Sequence, residues 1–191
     1  MKKTLLLFAI LIPSMSFAQF SSTIQTYFDF GVDRYKNKFY GANFISDYAF
    51  TKGIKAGIGI GIGGADMLYY ESNNLGDSRD AATLMPVFGD FQYKFIEKGI
   101  SPYLNFDVGY TLALSSNINN PGFFALPAFG VSFPLNKGAI NLQIGYKYQN
   151  FEYDWFWYSS SSKYGIIDYM SNSGKEKAAC DEIELSIGYT F

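Results

Sequence analysis

The chain of 191 residues has no histidine, a single cysteine and, beyond Ile12, no long apolar run. Each absence excludes something. Without imidazole there is no Ser-His-Asp hydrolysis, no histidine acid or base and no histidine-bound metal. A lone Cys180 cannot close an intramolecular disulfide, and Asp181 and Glu182 beside it make it a poor nucleophile. No stretch after Ile12 approaches the roughly 20 apolar residues that a membrane-crossing helix needs. An excess of positive charge, which a nucleic-acid surface requires, is also missing: the formal net charge is −2.

What is present is aromatic and glycine-rich. There are 19 Phe, 16 Tyr and 19 Gly, more rings than the surface of an ordinary soluble domain absorbs easily. The N-terminus reads as a secretory signal peptide over residues 1–18. Lys2 and Lys3 form the positive end, Leu5 to Ile12 the apolar stretch, Pro13 its stop, and Ser16-Phe17-Ala18 a cleavage site before Gln19. No Cys follows that site, so a lipid anchor is not supported. The expected mature domain, 19–191, has 173 residues (191 less 18), which suits one domain. Removing Lys2 and Lys3 from the 15 Lys or Arg leaves 13 against 17 Asp or Glu, a net charge of −4.

Period-two alternation is the dominant pattern. In Glu182 to Phe191 the odd positions are apolar or aromatic and the even ones polar or small. The rhythm returns in Ile140–Tyr148, Leu104–Leu114 and Ile54–Ile62, and less regularly near Thr23–Val32, Tyr40–Phe50, Met85–Phe95 and Phe123–Phe133. Such alternation places one face of each strand against something apolar. Eight strands result. Their connections alternate in kind. Three tight turns share a dipeptide, Lys52-Gly53, Lys98-Gly99 and Lys137-Gly138, where glycine is expected to supply a positive φ. Longer connections fall between them at Asp33–Asn37, Ala65–Ala82, Ser115–Gly122 and Glu152–Asp181. Short turns on one rim and long loops on the other are the outer-membrane arrangement. Phe50, Phe95, Phe133 and Phe191 stand at the short-turn level and read as an interfacial girdle.

Alternation alone does not say which face is outside. The residues on the polar face decide it: Gly57, Gly59, Gly61, Gly63, Gly109, Gly130, Gly145 and Gly188. Glycine packs nothing on a water-facing strand, whereas a narrow eight-strand lumen needs small residues beside large ones. The expected fold is therefore all-β, an eight-stranded antiparallel up-and-down transmembrane β-barrel, with a lipid-facing apolar surface. Its lumen should hold Asp47, Lys55, Asp90, Gln92, Lys94, Asn105, Asp107, Gln143, Lys147 and Glu184, with Asp90 and Asp107 paired to Lys94 or Lys147. Mixed charges in so narrow a space predict a plug, not an open channel.

Pro86-Val87-Phe88-Gly89-Asp90-Phe91, Ser101-Pro102-Tyr103-Leu104 through Val108-Gly109-Tyr110, and Pro127-Ala128-Phe129-Gly130-Val131 resemble strand motifs of the porin-like outer membrane β-barrel domain families of Gram-negative bacteria. The ending Gly188-Tyr189-Thr190-Phe191 is similar to their C-terminal assembly signal, carried here by Tyr189 and Phe191. The resemblance spans essentially the whole mature chain and implies architecture, an outer-membrane location and contact with the insertion machinery. Enzymatic barrels of that membrane resemble one another in using a catalytic histidine, so the resemblance, without one, implies no enzyme. Fold by itself does not give function.

Other motifs have plain explanations. Gly59-Ile60-Gly61-Ile62-Gly63-Gly64 matches a dinucleotide fingerprint in letters, but its glycines lie within an alternating strand, not at a strand-to-helix turn. Ser159 to Ser162 followed by Lys163 reads as a polar loop segment. Asp66, Glu71, Asp77 and Asp80 make the second long loop acidic, without calcium-loop spacing. Catalytic, metal and cofactor sites are expected to be none. The partners expected are outer-membrane lipid and the insertion machinery, with no nucleic acid, an unknown surface ligand and a monomeric barrel. Trp155, Phe156, Trp157 and Tyr158, opening the longest connection, are the candidate surface-binding residues, with an interfacial belt as the alternative role. A structural or surface-interaction role leads, with a narrow or gated transport pore as the alternative.

Overall fold

The computed structural model describes residues 20–32, 37–69, 78–115, 121–163 and 166–191. The expected signal peptide lies outside them, and so do Glu71 and Asp77 of the acidic loop. Eight strands run in order: β1 Phe20–Gly31, β2 Lys38–Ala49, β3 Ile54–Tyr69, β4 Ser78–Lys94, β5 Ser101–Ala113, β6 Pro121–Leu135, β7 Gly138–Lys163 and β8 Ile166–Thr190. Each pairs antiparallel with its sequence neighbour, and β8 returns to β1 to close the barrel. Closure leaves no free edge around the wall, which removes the unpaired backbone groups that lipid cannot satisfy.

The wall is apolar outside and polar inside. Thirty-five large apolar or aromatic side chains are exposed among the described residues, Ile58 at 74% and Ile62 at 59% among them. The buried set holds more polar and charged residues than hydrophobic ones, from Gln25 and Asp29 to Glu184 and Ser186. A water-soluble barrel would reverse this, because a continuous apolar surface of such extent is not sustained in water.

The lumen glycines make room for specific large neighbours. A Cβ at Gly59 would fall inside the ring of Phe88, and one at Gly130 would strike the ring and hydroxyl of Tyr103. Phe88 packs edge-on against Phe124, centroids 5.9 Å apart, in a cluster with Ile45 and Leu126.

Several expectations are corrected. Positive φ is found at Gly99 (83°) and Gly138 (148°), but not at Gly53. In that first turn the Thr51 hydroxyl accepts from the backbone N–H groups of Gly53 and Ile54, and Phe50 N–H donates to the Ile54 carbonyl. The side chain thus completes the turn without a left-handed residue. Phe50, Phe95 and Phe191 are exposed on the short-turn rim, whereas Phe133 is half-buried. The connection read as Ala65–Ala82 is mostly strand, with Asp66↔Ala81 through Tyr69↔Ser78 continuing the β3–β4 ladder.

The largest difference is at Glu152–Asp181. Instead of a loop, β7 and β8 continue as one ladder from Ala139↔Thr190 to Lys163↔Ile166. Neighbouring strands stop well short: β6 reaches Phe151 through Pro121, and β1 reaches Glu182 through Gly31. From Glu152↔Lys177 upward the two strands form a hairpin with no further ladder partner among the described residues. Its 12 residue pairs extend about 40 Å beyond the barrel at the rise of an extended strand.

Candidate functional site

Two places were open to carry function, the lumen and the long-loop rim. In the lumen Lys147 is almost fully buried, with its ammonium 2.6 Å from Asp29 Oδ2 and 3.6 Å from Glu182 Oε2. Three rings surround the same ammonium, those of Tyr27 and Phe39 at 5.4 Å and of Phe124 at 5.6 Å. Parity explains the meeting: residues 147, 182 and 29 all fall on inward positions of β7, β8 and β1, and register sets Lys147 opposite Glu182 and Asp29 opposite Glu184. A buried charge is tolerable only when so paired, and the rings add to its solvation.

A second group lies nearer the tight turns. Asp90 pairs in register with Asp107 on one side and with Gly57 on the other, and Gly57 pairs in turn with Asp47, so three buried carboxyl groups share one level. Asn105 Nδ2 donates to Asp107 Oδ1 at 2.8 Å. Lys55 Nζ donates to Ser21 Oγ at 2.8 Å and Lys94 Nζ to Ser132 Oγ at 3.2 Å, the former also facing Asp47 and Asp90. The expected pairing of Asp90 and Asp107 with Lys94 or Lys147 is therefore wrong. Lys147 is taken by Asp29 and Glu182, which register brings to its own level, while Lys94 sits at the turn end beside Ser132. Sequence reading missed Asp29 as a partner because β1 carries aromatics on both faces. Glu182 stood in plain alternation and was overlooked.

A cavity of about 20 Å³, lined by Tyr27, Asn43, Phe88, Asp107, Lys147 and Glu184 among others, suits about one water. No group of His, Cys, Asp and Glu fit to hold a metal occurs among the described residues. Cys180 is buried and accepts from Asn37 Nδ2 at 3.3 Å.

No protein-family profile and no curated protein sequence matches the chain. Solved structures do. Outer membrane protein OprG from Pseudomonas aeruginosa is 11% identical and aligns over 91% of this chain and 96% of that chain, with a TM-score of 0.54. The fold is that of a small outer-membrane β-barrel. Two further alignments are looser. The N-terminal β-barrel domain of Pseudomonas aeruginosa OprF is 15% identical over 90% of this chain and 97% of that one, TM-score 0.43. A major outer membrane protein from Thermus thermophilus is 14% identical over 89% and 99%, TM-score 0.37. At such identities the likeness speaks to architecture alone.

The sequence-derived site residues fall in two places. Tyr189 and Phe191 sit at the seam that closes the barrel. Phe191 N–H donates to the Ser22 carbonyl at 2.9 Å, Ser22 N–H donates back at 3.1 Å, and the Tyr189 hydroxyl donates to the Lys137 carbonyl at 2.8 Å. Trp155, Phe156, Trp157 and Tyr158 lie on β7 in its part beyond the wall, opposite Gly174, Ser173, Asn172 and Ser171. Their side chains lie outside the described residues.

Proposed function

We propose that this protein is a non-enzymatic outer-membrane barrel whose working part is the β7–β8 hairpin, and that the barrel serves as its anchor. The observation that carries this reading is the contrast between the two ends of β7. Inside the wall, Lys147 is locked between Asp29 and Glu182 and ringed by aromatics, beside a cavity with room for about one water. Beyond the wall, the same strand runs on for 12 paired residues with no ladder partner but β8 among the described residues. Extended strands that close no wall bury little, so their length is better explained by recognition than by stability. The transport alternative has to displace buried ion pairs before any solute passes.

Planar-bilayer conductance and cell-surface binding test the reading together. The intact barrel should show no stepwise conductance in salt solution. Replacing Ser159–Lys177 by a short Gly-Ser linker should leave heat-modifiable gel migration unchanged and abolish surface binding. Reproducible single-channel steps from the intact barrel would favour the pore, and undiminished binding by the shortened protein would move recognition off the hairpin.

A further inference from the structure

We infer that the lumen of this barrel binds a single calcium ion in the cavity between Asp107 and Glu184. The charges inside the wall point to a cation. Six carboxyl groups are buried there, those of Asp29, Asp47, Asp90, Asp107, Glu182 and Glu184, against three lysines, Lys55, Lys94 and Lys147. Lys147 is held by Asp29 and Glu182, while Lys55 and Lys94 stand at the tight-turn end with Ser21 and Ser132. Asp107 and Glu184 form no ion pair with a lysine among the described residues. Each also faces a second carboxyl group across its ladder, Asp90 for Asp107 and Asp29 for Glu184. Like charges set directly opposite destabilise a sheet, and a buried carboxylate without a counter-charge is costlier still. Water hydrates such groups but does not neutralise them.

The cavity of about 20 Å³ has the donors and the size for that ion. Asp107 and Thr111 line it from β5, Glu184 from β8 and Asn43 from β2. Lys147 and Gln149 line it from β7, but the Lys147 ammonium is already held by Asp29 and Glu182. Asn43 is only 8% exposed, and its Oδ1 has no hydrogen-bond partner among the described residues. The Thr111 hydroxyl gives its hydrogen to Gln149 Oε1 at 3.4 Å, which leaves the Thr111 oxygen as an acceptor. Nine buried side-chain atoms lack a hydrogen-bond partner among the described residues, and eight of them are acceptor oxygens. The interior is thus short of positive partners, not of acceptors. Two carboxylates are too few for a site built from His, Cys, Asp and Glu alone. Amide and hydroxyl oxygens complete an all-oxygen set, which selects a hard cation. Space for about one water leaves no room for the hydration that magnesium keeps, whereas calcium accepts irregular oxygen geometry. Two unpaired carboxylates match a divalent ion and exceed what one sodium ion balances. The ligands come from three separate strands, so no sequence spacing announces them.

The test follows folding in defined salts. The full barrel, unfolded in urea with a chelator and then desalted, is refolded into vesicles of zwitterionic phosphatidylcholine, with heat-modifiable migration as the readout. Calcium, magnesium, sodium and choline chlorides are compared at equal ionic strength. Calcium should raise the urea midpoint saturably, because an ion bound only by the folded barrel stabilises it by mass action. Magnesium and sodium should do no more than choline. Elemental analysis of the folded, desalted barrel should find one calcium per chain. Asp107→Asn with Glu184→Gln keeps both side-chain volumes and removes both charges. Calcium should then be neither retained nor needed, and the midpoint in choline chloride should be at least that of the parent. Asn43→Ala removes one neutral ligand and should weaken the calcium response on the order of tenfold. Glu97→Gln alters an exposed carboxylate at a tight turn and should leave the response unchanged. A parent midpoint indifferent to calcium would mean that protons, not a metal ion, balance the carboxyl groups, and would overturn the assignment. So would an equal response to sodium, or one calcium per chain retained by the Asp107 and Glu184 double variant.

Discussion

Replacing Lys147 by methionine isolates the energetics of the lumen. The substitution keeps most of the side-chain volume and its contact with Tyr27, Phe39 and Phe124, while deleting the ammonium. Asp29 and Glu182, both fully buried, then lose the cation that stands 2.6 and 3.6 Å away. Breaking a buried pair from one side costs about 3–5 kcal/mol, because a charge is left without compensation. That is two to four orders of magnitude in the folding equilibrium at about 1.4 kcal/mol per tenfold. Replacing the two paired carboxylates of Lys147 as well is different. A triple variant, Lys147→Met with Asp29→Asn and Glu182→Gln, removes the two carboxylates that pair with the ammonium, leaves Glu184, and should recover part of the loss. The assay is urea-dependent folding into lipid vesicles, followed by the shift in gel mobility between closed and boiled forms. Tryptophan fluorescence would not serve, since both tryptophans lie on the hairpin outside the wall. A Lys147→Met barrel within about 1 kcal/mol of the parent, or a triple variant no better than the single one, refutes the reasoning.

Two other outcomes follow from the wall itself. Gly59→Val drives its Cβ into the Phe88 ring, which is held by Phe124, Ile45 and Leu126, and should cost about 1–3 kcal/mol in the same assay. Adding Phe88→Leu should restore part of it, and an equally impaired double variant would show that the clash is not the cause. Deleting Phe191 removes both backbone bonds to Ser22 at the closing seam, so assembled protein in the outer-membrane fraction should fall sharply while total synthesis is unchanged. Normal assembled levels would mean that closure tolerates loss of its last rung.

The legibility of the chain in sequence divides along physical lines. Period two fixed which residues face lipid and which face the lumen, because in a closed barrel every strand has only those two sides. Ile140 to Tyr148 and Glu182 to Phe191 alternate without interruption, and β7 and β8 have the expected facing throughout those stretches. Glycine on the inward face marked where large neighbours stand, as Gly59 does for Phe88 and Gly130 for Tyr103. Strand number and the places of the three tight turns were equally readable, since both are properties of the local chain.

Two features needed the tertiary structure. The partners of Lys147 come from β1 and β8, the former 118 residues away, and only the shear of a closed barrel decides which inward residues share a level. The β7–β8 hairpin was the second. Its upper part puts Phe156 and Tyr158 out of step with the alternation, and its return leg, Ser171-Asn172-Ser173-Gly174, has poor strand propensity. Local pattern accordingly favoured a loop. Ladder pairing begun inside the wall overrides that preference, because each further pair extends a register that Lys147↔Glu182 and its neighbours have already set.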